Sequence, residues 1–247
     1  MIKIKTLNPL WAALLVCLIT THVLAETITP KPYRAVYTAK YTFILPLHGE
    51  AVRELKRNEQ GDWELSHKVN SSLAKISESS LFKWQNGQVL PLKYRFEQKT
   101  IGKDRSLNLD FVRDQGQVVV LTHPDNSPYP LVDGLQDKLS YQLKLREDLL
   151  NGGLAEEYLI ADSDGPRDYR FEMMGEEVIT TQAGKFRTLK IRRDRDENAR
   201  RESVVWLAPD WDYLVVKIEQ TEKGKTYTVE LKEGELDGTA IHGIDKA

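Results

Sequence analysis

From Tyr33 onward the polarity of the side chains alternates with a period of two. In "YRAVYTAKYTFIL" the residues Tyr33, Ala35, Tyr37, Ala39, Tyr41 and Phe43 share one face, while Arg34, Thr38, Lys40 and Thr42 share the other. Successive side chains of a strand point to opposite sides, so this pattern predicts a long strand with one apolar face. The same rhythm returns in "EAVRELKRN", "WELSHKVNSSL", "QVLPLKYRFEQKT", "RSLNLDFVRD" and "GQVVVLTH", and again in "GKFRTLKIRRD", "RESVVWLAP", "YLVVKIEQT" and "KTYTVELKE". Turn residues separate these runs. "WQNGQ" carries Asn86-Gly87, a dipeptide that tolerates the positive φ of a tight hairpin. Pro91 cannot donate to a ladder and marks an edge or a bulge.

One stretch keeps a different period. "DGLQDKLSYQLKLREDLLNGG" sets Leu135, Leu139, Leu143 and Leu150 on a helical stripe. Asp133 with Gln136 has the form of a capping box, and Gly152-Gly153 supplies the stop. About 12–14 strands with one helix near residues 133–150 predict an all-β, mainly antiparallel protein. The architecture expected is a long curved or spiral sheet, a half-open barrel. No repeat of fixed period and no linker divides residues 33–234, which are read as a single β-rich domain. Residues 26–32, "ETITPKP", are a polar lead-in, and the Gly-rich residues 235–247 are expected to be a flexible tail.

The first 25 residues have their own logic. Lys3 and Lys5 precede an apolar stretch from Leu10 to Ile19, and Val23-Leu24-Ala25 offers small residues where a signal peptidase reads. The apolar stretch is about half of the ~20 residues a spanning helix needs. A cleaved signal peptide ending near Ala25 is therefore expected, with no transmembrane segment after cleavage. Cys17 raises the alternative of a lipoprotein. It lies inside the apolar core, however, and the β-branched Val16 precedes it where a small residue is wanted.

Removing that leader changes the chemistry on offer. Cys17 is the one cysteine in the chain, so the mature protein has no disulfide, thiolate nucleophile or thiolate metal site. The leader holds two lysines and no acid, so the formal charge of −2 becomes −4. Mixed signs with a mild acidic excess give no electrostatic case for nucleic acid or anionic lipid headgroups. The short leader points to the bacterial periplasm.

Asp210 and Asp212 in "APDWD" could be a pair of working carboxylates, which in glycosidases sit ~5–9 Å apart. Pro209-Asp210 between two β-branched runs is also ordinary turn chemistry, and the corner is the favoured reading. "SLAK" from Ser72 to Lys75 has the S-x-x-K spacing of serine acyl-enzymes, but residues three apart in a strand face opposite ways. Gly224 to Thr226, "GKT", lacks the upstream glycine of a phosphate loop, with Glu219 in its place. His48, His67, His123 and His242 have no metal-ligand spacing, and no metal or cofactor is expected. "RRDRDENARR", Arg192 to Arg201, is either an anion clamp or a solvated hairpin tip, and its mixed signs favour the tip. Tyr33, Tyr37, Tyr41, Phe43 and Trp206 are the residues singled out to line a groove for an apolar or sugar ligand. The competing reading places them in the core between strands.

In order along the chain, the Tyr-rich first strand with "HGEAVREL", the "DGLQDKLSYQLKLRE" segment, the "AGKFRTLKIRR" hairpin and "VVWLAPDWDYLVVKIEQ" resemble a bacterial family, domain-of-unknown-function family 3108. The resemblance spans roughly Tyr33 to Lys232 and departs at Leu214, where a proline is the family's habit. It implies an exported, β-rich envelope protein with no catalytic residues to carry over. By looser analogy it is similar to half-open barrel carriers such as the lipoprotein-localisation proteins.

These readings converge on a periplasmic, non-enzymatic protein that binds an apolar or lipid-like ligand, or a partner segment, in the concave face of its sheet. Two alternatives stand beside it: a hydrolase or lyase acting on envelope polysaccharide through Asp210 and Asp212, and a scaffold that joins envelope protein partners.

Overall fold

A computed structural model describes residues 29–42, 47–71, 74–100, 104–122, 127–194, 201–222 and 224–244, together with Gly102 and Asp125. Among the described residues fifteen strands form one antiparallel sheet. The first eight are β1 (Tyr33–Thr42), β2 (Leu47–Arg57), β3 (Trp63–Ser71), β4 (Ala74–Gln85), β5 (Gln88–Thr100), β6 (Arg105–Val112), β7 (Gln117–Val120) and β8 (Tyr129–Pro130). The one α-helix among the described residues, α1 (Ser140–Leu150), follows. Then come β9 (Tyr158–Asp162), β10 (Gly165–Thr181), β11 (Gly184–Asp194), β12 (Arg201–Ala208), β13 (Leu214–Glu222), β14 (Lys225–Leu236) and β15 (Thr239–Ala240).

The order across the sheet explains its shape. Strands β1 to β8 run as one meander and β9 to β14 as another, and the two join where β1 pairs with β14. Strand β1 is therefore central, with Tyr33 to Tyr41 paired to β2 on one side and Tyr33 to Thr42 paired to β14 on the other. The alternation that predicts this strand is the reason for its placement. Tyr33, Ala35, Tyr37 and Ala39 are all buried, as a doubly paired strand with one apolar face requires. The sheet does not close, for β8 and β9 are its two ends.

The chain between those ends crosses the gap. Gln136 N donates to Leu159 O at 2.9 Å and Ala161 N to Gln136 O at 2.8 Å, a parallel bridge onto β9. The Gln136 side chain reaches the other meander, with Nε2 3.0 Å from Val89 O on β5. Tyr129 Oη on β8 donates to Asp162 O on β9 at 2.9 Å. The barrel is thus half-open, its seam joined by one backbone bridge and by side chains rather than by a continuous ladder.

Two local expectations are met. Asn86 and Gly87 adopt φ of 54° and 74° in a two-residue turn between Gln85 and Gln88. Pro91 sits beside a bulge, where the β4–β5 register shifts between Leu81 and Phe82. The helix starts later than the leucine stripe implies. Asp137 caps it: Oδ1 accepts the N–H of Leu139 and of Ser140, each at 2.8 Å, and its own N–H donates to Ser140 Oγ. Asp133 lies outside the helix, because Gln136, its supposed capping partner, is committed to β9. The Gly-rich end, expected to be loose, turns through Asp237-Gly238 into β15, and Ile241 is buried.

Candidate functional site

The concave face holds a hollow of about 410 Å³ between the sheet and α1. Its walls come from both meanders, and Tyr141, Gln142, Leu145 and Arg146 of α1 complete it. One wall carries a polar row set by strand register. Arg53 on β2 faces His67 on β3, His67 faces Glu78 on β4, and Glu78 faces Phe96 on β5. Cross-strand partners on one face lie ~5 Å apart, so these groups form a continuous ladder.

The opposite wall has two rows. Ile191, Val205, Ile218 and Val229 pair in sequence across β11, β12, β13 and β14 and make an apolar band. Two residues further along their strands are Arg193, Ser203, Gln220 and Tyr227, with Ser203 facing Gln220 and Gln220 facing Tyr227. All eight line the hollow.

Burial shapes the protonation of the polar ladder. His67 falls to about 3, because burial disfavours its cation and Arg53 adds repulsion. It is therefore a neutral acceptor, and Arg53 Nε donates to its Nδ1 at 3.4 Å. Glu78 is pushed up to about 7, with burial outweighing the hydrogen bond from Tyr94 Oη and the pull of Arg53. Asp137, fully buried, rises to about 6 for the same leading reason, against its hydrogen bonds from Ser80 and the helix start.

The residues singled out in the sequence are divided by this geometry. Tyr37 lines the hollow and donates its hydroxyl to Val215 O at 2.9 Å. Tyr33 packs in the core beneath the Arg146 guanidinium, 5.3 Å from the ring centre. The side chain of Tyr41 and all of Phe43 lie outside the described residues, as do Ser72, His123 and the imidazole of His48. Trp206 faces away from the hollow. Val205 and Leu207 line it, whereas Trp206 shares an outer groove with Val204 and Met174, between Lys190 and Lys217.

Asp210 and Asp212 occupy the corner between β12 and β13. Asp210 is held by both Arg187 Nε and Nη2, at 3.2 and 3.1 Å, and Asp212 pairs with Lys31 at 2.7 Å. Asp212 and Tyr213 take φ of 51° and 55°, and the Asp212 carbonyl accepts from Arg146 Nε. Each carboxylate has its own cation, and the pair does not face the hollow. Among the described residues no group of three or more His, Cys, Asp or Glu could hold a metal. No helix among them is long and apolar enough to cross a membrane.

In sequence, Arg193 stands out only within the Arg192–Arg201 segment, and Arg53, Glu78 and Ser203 are not singled out, yet a signal for all four exists. Each falls in the inward phase of an alternating strand: Ala51-x-Arg53-x-Leu55, Ile76-x-Glu78-x-Ser80-x-Phe82, Ile191-x-Arg193 and Ser203-x-Val205-x-Leu207. A polar residue in an apolar series is what a lined hollow looks like in sequence.

Comparison with known proteins agrees with the fold. A crystal structure of a β-barrel-like protein of domain-of-unknown-function family 1849 from Brucella abortus superposes with a TM-score of 0.58, covering 85% of this chain and 99% of that one at 12% identity. At that identity the likeness is one of fold. A domain described as outer membrane lipoprotein-sorting, from Vibrio parahaemolyticus, covers 83% of this chain and 85% of its own at 10% identity, but its TM-score of 0.25 carries no argument. No curated protein matches the chain. The family described as "Protein of unknown function (DUF3108)" matches residues 36–232, most of the sequence, and the chain belongs to that family.

Proposed function

We propose that this is an exported protein of the bacterial envelope, resident in the periplasm, which performs no chemistry of its own and binds an apolar or lipid-like ligand in the hollow of its half-open barrel. The observation that carries the reading is the hollow itself. A space of about 410 Å³ lies on the concave face, within the ~300–1,000 Å³ range of ligand sites. An unbroken apolar band runs along one of its walls. Burial of an acyl chain there is worth ~25 cal/mol per Å² of apolar surface, less the cost of ordering the ligand. The two carboxylates that motivated a hydrolase are each occupied by a cation at a hairpin corner. The leader at residues 1–25 supports export.

The test is uptake of an apolar fluorescent probe, N-phenyl-1-naphthylamine, by delipidated protein. Saturable uptake is expected, and Val205→Trp should abolish it by filling the band while the far-ultraviolet circular dichroism stays unchanged. Absence of uptake in the unaltered protein, or full uptake in the variant, contradicts the reading.

The scaffold reading has one observation in its favour. Among the described residues β10 pairs with β9 from Gly165 to Tyr169, and its stretch from Arg170 to Thr181 has one ladder neighbour, β11. Met173, Met174 and Val178 are exposed there. Such an edge accepts a partner strand. Glu substitutions at Met173 and Val178 should then remove partners captured from envelope extracts, and unchanged capture counts against it.

A further inference from the structure

We infer that the ligand of the hollow is an anionic amphiphile, a single-chain lipid whose acidic head lies between Arg53 and Arg193 and whose tail follows the Ile191–Val229 band. This rests on the hollow being a ligand site and adds the class of ligand.

The argument begins with charge that lacks a partner. Arg53 is 6% exposed, and its one hydrogen bond among the described residues goes to a neutral imidazole. A buried guanidinium without a carboxylate is costly, since desolvation is repaid only by an opposite charge with good geometry. Glu78 is the nearest acid along the ladder. Burial raises its pKa, and although Arg53 acts on it electrostatically, its hydrogen bond is from the Tyr94 hydroxyl and not from Arg53.

The facing wall repeats the pattern. Arg193 stacks on Tyr169, its guanidinium carbon 3.1 Å from the ring centre, and its Nε is buried with no hydrogen-bond partner. Ser203 is 8% exposed, and its Oγ is likewise buried without a partner. Both arginines act electrostatically on the Tyr141 hydroxyl of α1, which places them on the same region of the hollow. Two cationic forks and a free hydroxyl, all lining one space, are a binding set for a carboxylate or phosphate.

The tail position follows from strand geometry. Ile191 and Val205 lie two residues from Arg193 and Ser203 on the same strands, ~7 Å away. An anion bound at the polar row therefore has its first carbons at the start of the apolar band. Residues 195–200 of the arginine-rich segment lie outside the described residues, and the alternation divides the arginines on either side of them. Arg192 points out and pairs with Glu172, whereas Arg193 and Arg201 turn into the hollow, Arg201 already paired with Glu222.

The experiment compares three ligands on delipidated full-length mature protein by probe displacement: palmitate, lysophosphatidate and uncharged monopalmitoylglycerol. One charge-assisted contact supports a preference of about tenfold or more for the charged ligands. Arg193→Gln and Arg53→Gln should each reduce that preference while retaining monopalmitoylglycerol. The stronger of the two anions identifies the head as carboxylate or phosphate. Arg193 is less deeply buried than Arg53, so its variant decides the matter if Arg53→Gln fails to fold. Equal displacement by charged and uncharged lipids, or a preference that survives Arg193→Gln, overturns the anionic head and leaves the apolar site standing. Failure of all three to displace the probe overturns the ligand site itself.

Discussion

Ser80 Oγ donates a 2.5 Å hydrogen bond to Asp137 Oδ2, and through it the centre of β4 holds the start of α1 against the concave face. Ser80 and Asp137 are both fully buried. The helix forms one side of the hollow, so this contact sets the depth of the site as well as the position of the helix.

Asp137→Ala removes an acceptor for Ser80 and for two backbone N–H groups at once. A loss of about 2–4 kcal/mol is expected, from a helix cap and a buried hydrogen bond together. Urea denaturation checks it. Asp137→Asn, which keeps one carbonyl oxygen for the N–H groups, should recover part of the loss.

Arg53→Met replaces a buried guanidinium by an apolar side chain of similar length. In ligand-free protein the melting temperature should rise, because an uncompensated charge is more costly to bury than the methionine. Stability gained at the expense of a binding group is a familiar exchange. A fall in melting temperature would mean that Arg53 has a structural counter-charge.

Gly234 stands where β14 meets β1 closely. A Cβ there would lie 2.9 Å from Ile241 Cδ1 and 3.0 Å from Arg34 O. The carbonyl cannot retreat without breaking the β1–β14 ladder, so Gly234→Ala should cost about 1–3 kcal/mol by overpacking. Chemical denaturation measures it.

Glu78 gives the stability a pH dependence of known sign. Its folded value of about 7 is raised above the ordinary 4.5, so the folded state holds a proton that the unfolded chain releases. Stability from this group is present below about 4.5 and is lost as pH climbs through that window to about 7. His67, lowered from 6.5 to about 3, acts in the opposite direction, with stability rising as pH climbs between those values. The two partly cancel in the native protein. Glu78→Gln should unmask the imidazole, so that the variant gains stability relative to the native protein between pH 4.5 and 7. Melting curves across that range read the difference, and parallel curves would contradict the assignment.

The strands were legible because alternation is local, and Tyr33 to Ala39 needed no partner to declare one apolar face. Which strands meet was not legible. That β1 would pair with β14 depends on contacts some 190 residues apart along the chain, such as Lys40 with Glu230. The helix starts later than the capping pattern implies because Asp133 and Gln136 satisfy that pattern locally, while Gln136 is claimed by β9 and Val89. Trp206 has the aromatic character of a lining residue, but the phase of Val205 and Leu207 places it on the outer face. That same phase, applied to Arg53 and Arg193, would have found the polar groups of the hollow.

The most direct measurement is native mass spectrometry of the protein purified from cells without detergent. The account predicts an adduct with the mass of a single-chain lipid, present at up to one per protein and removed by organic extraction. Protein that carries no adduct when fresh, and takes up neither probe nor lipid after extraction, would contradict the claim that the half-open barrel is a lipid carrier.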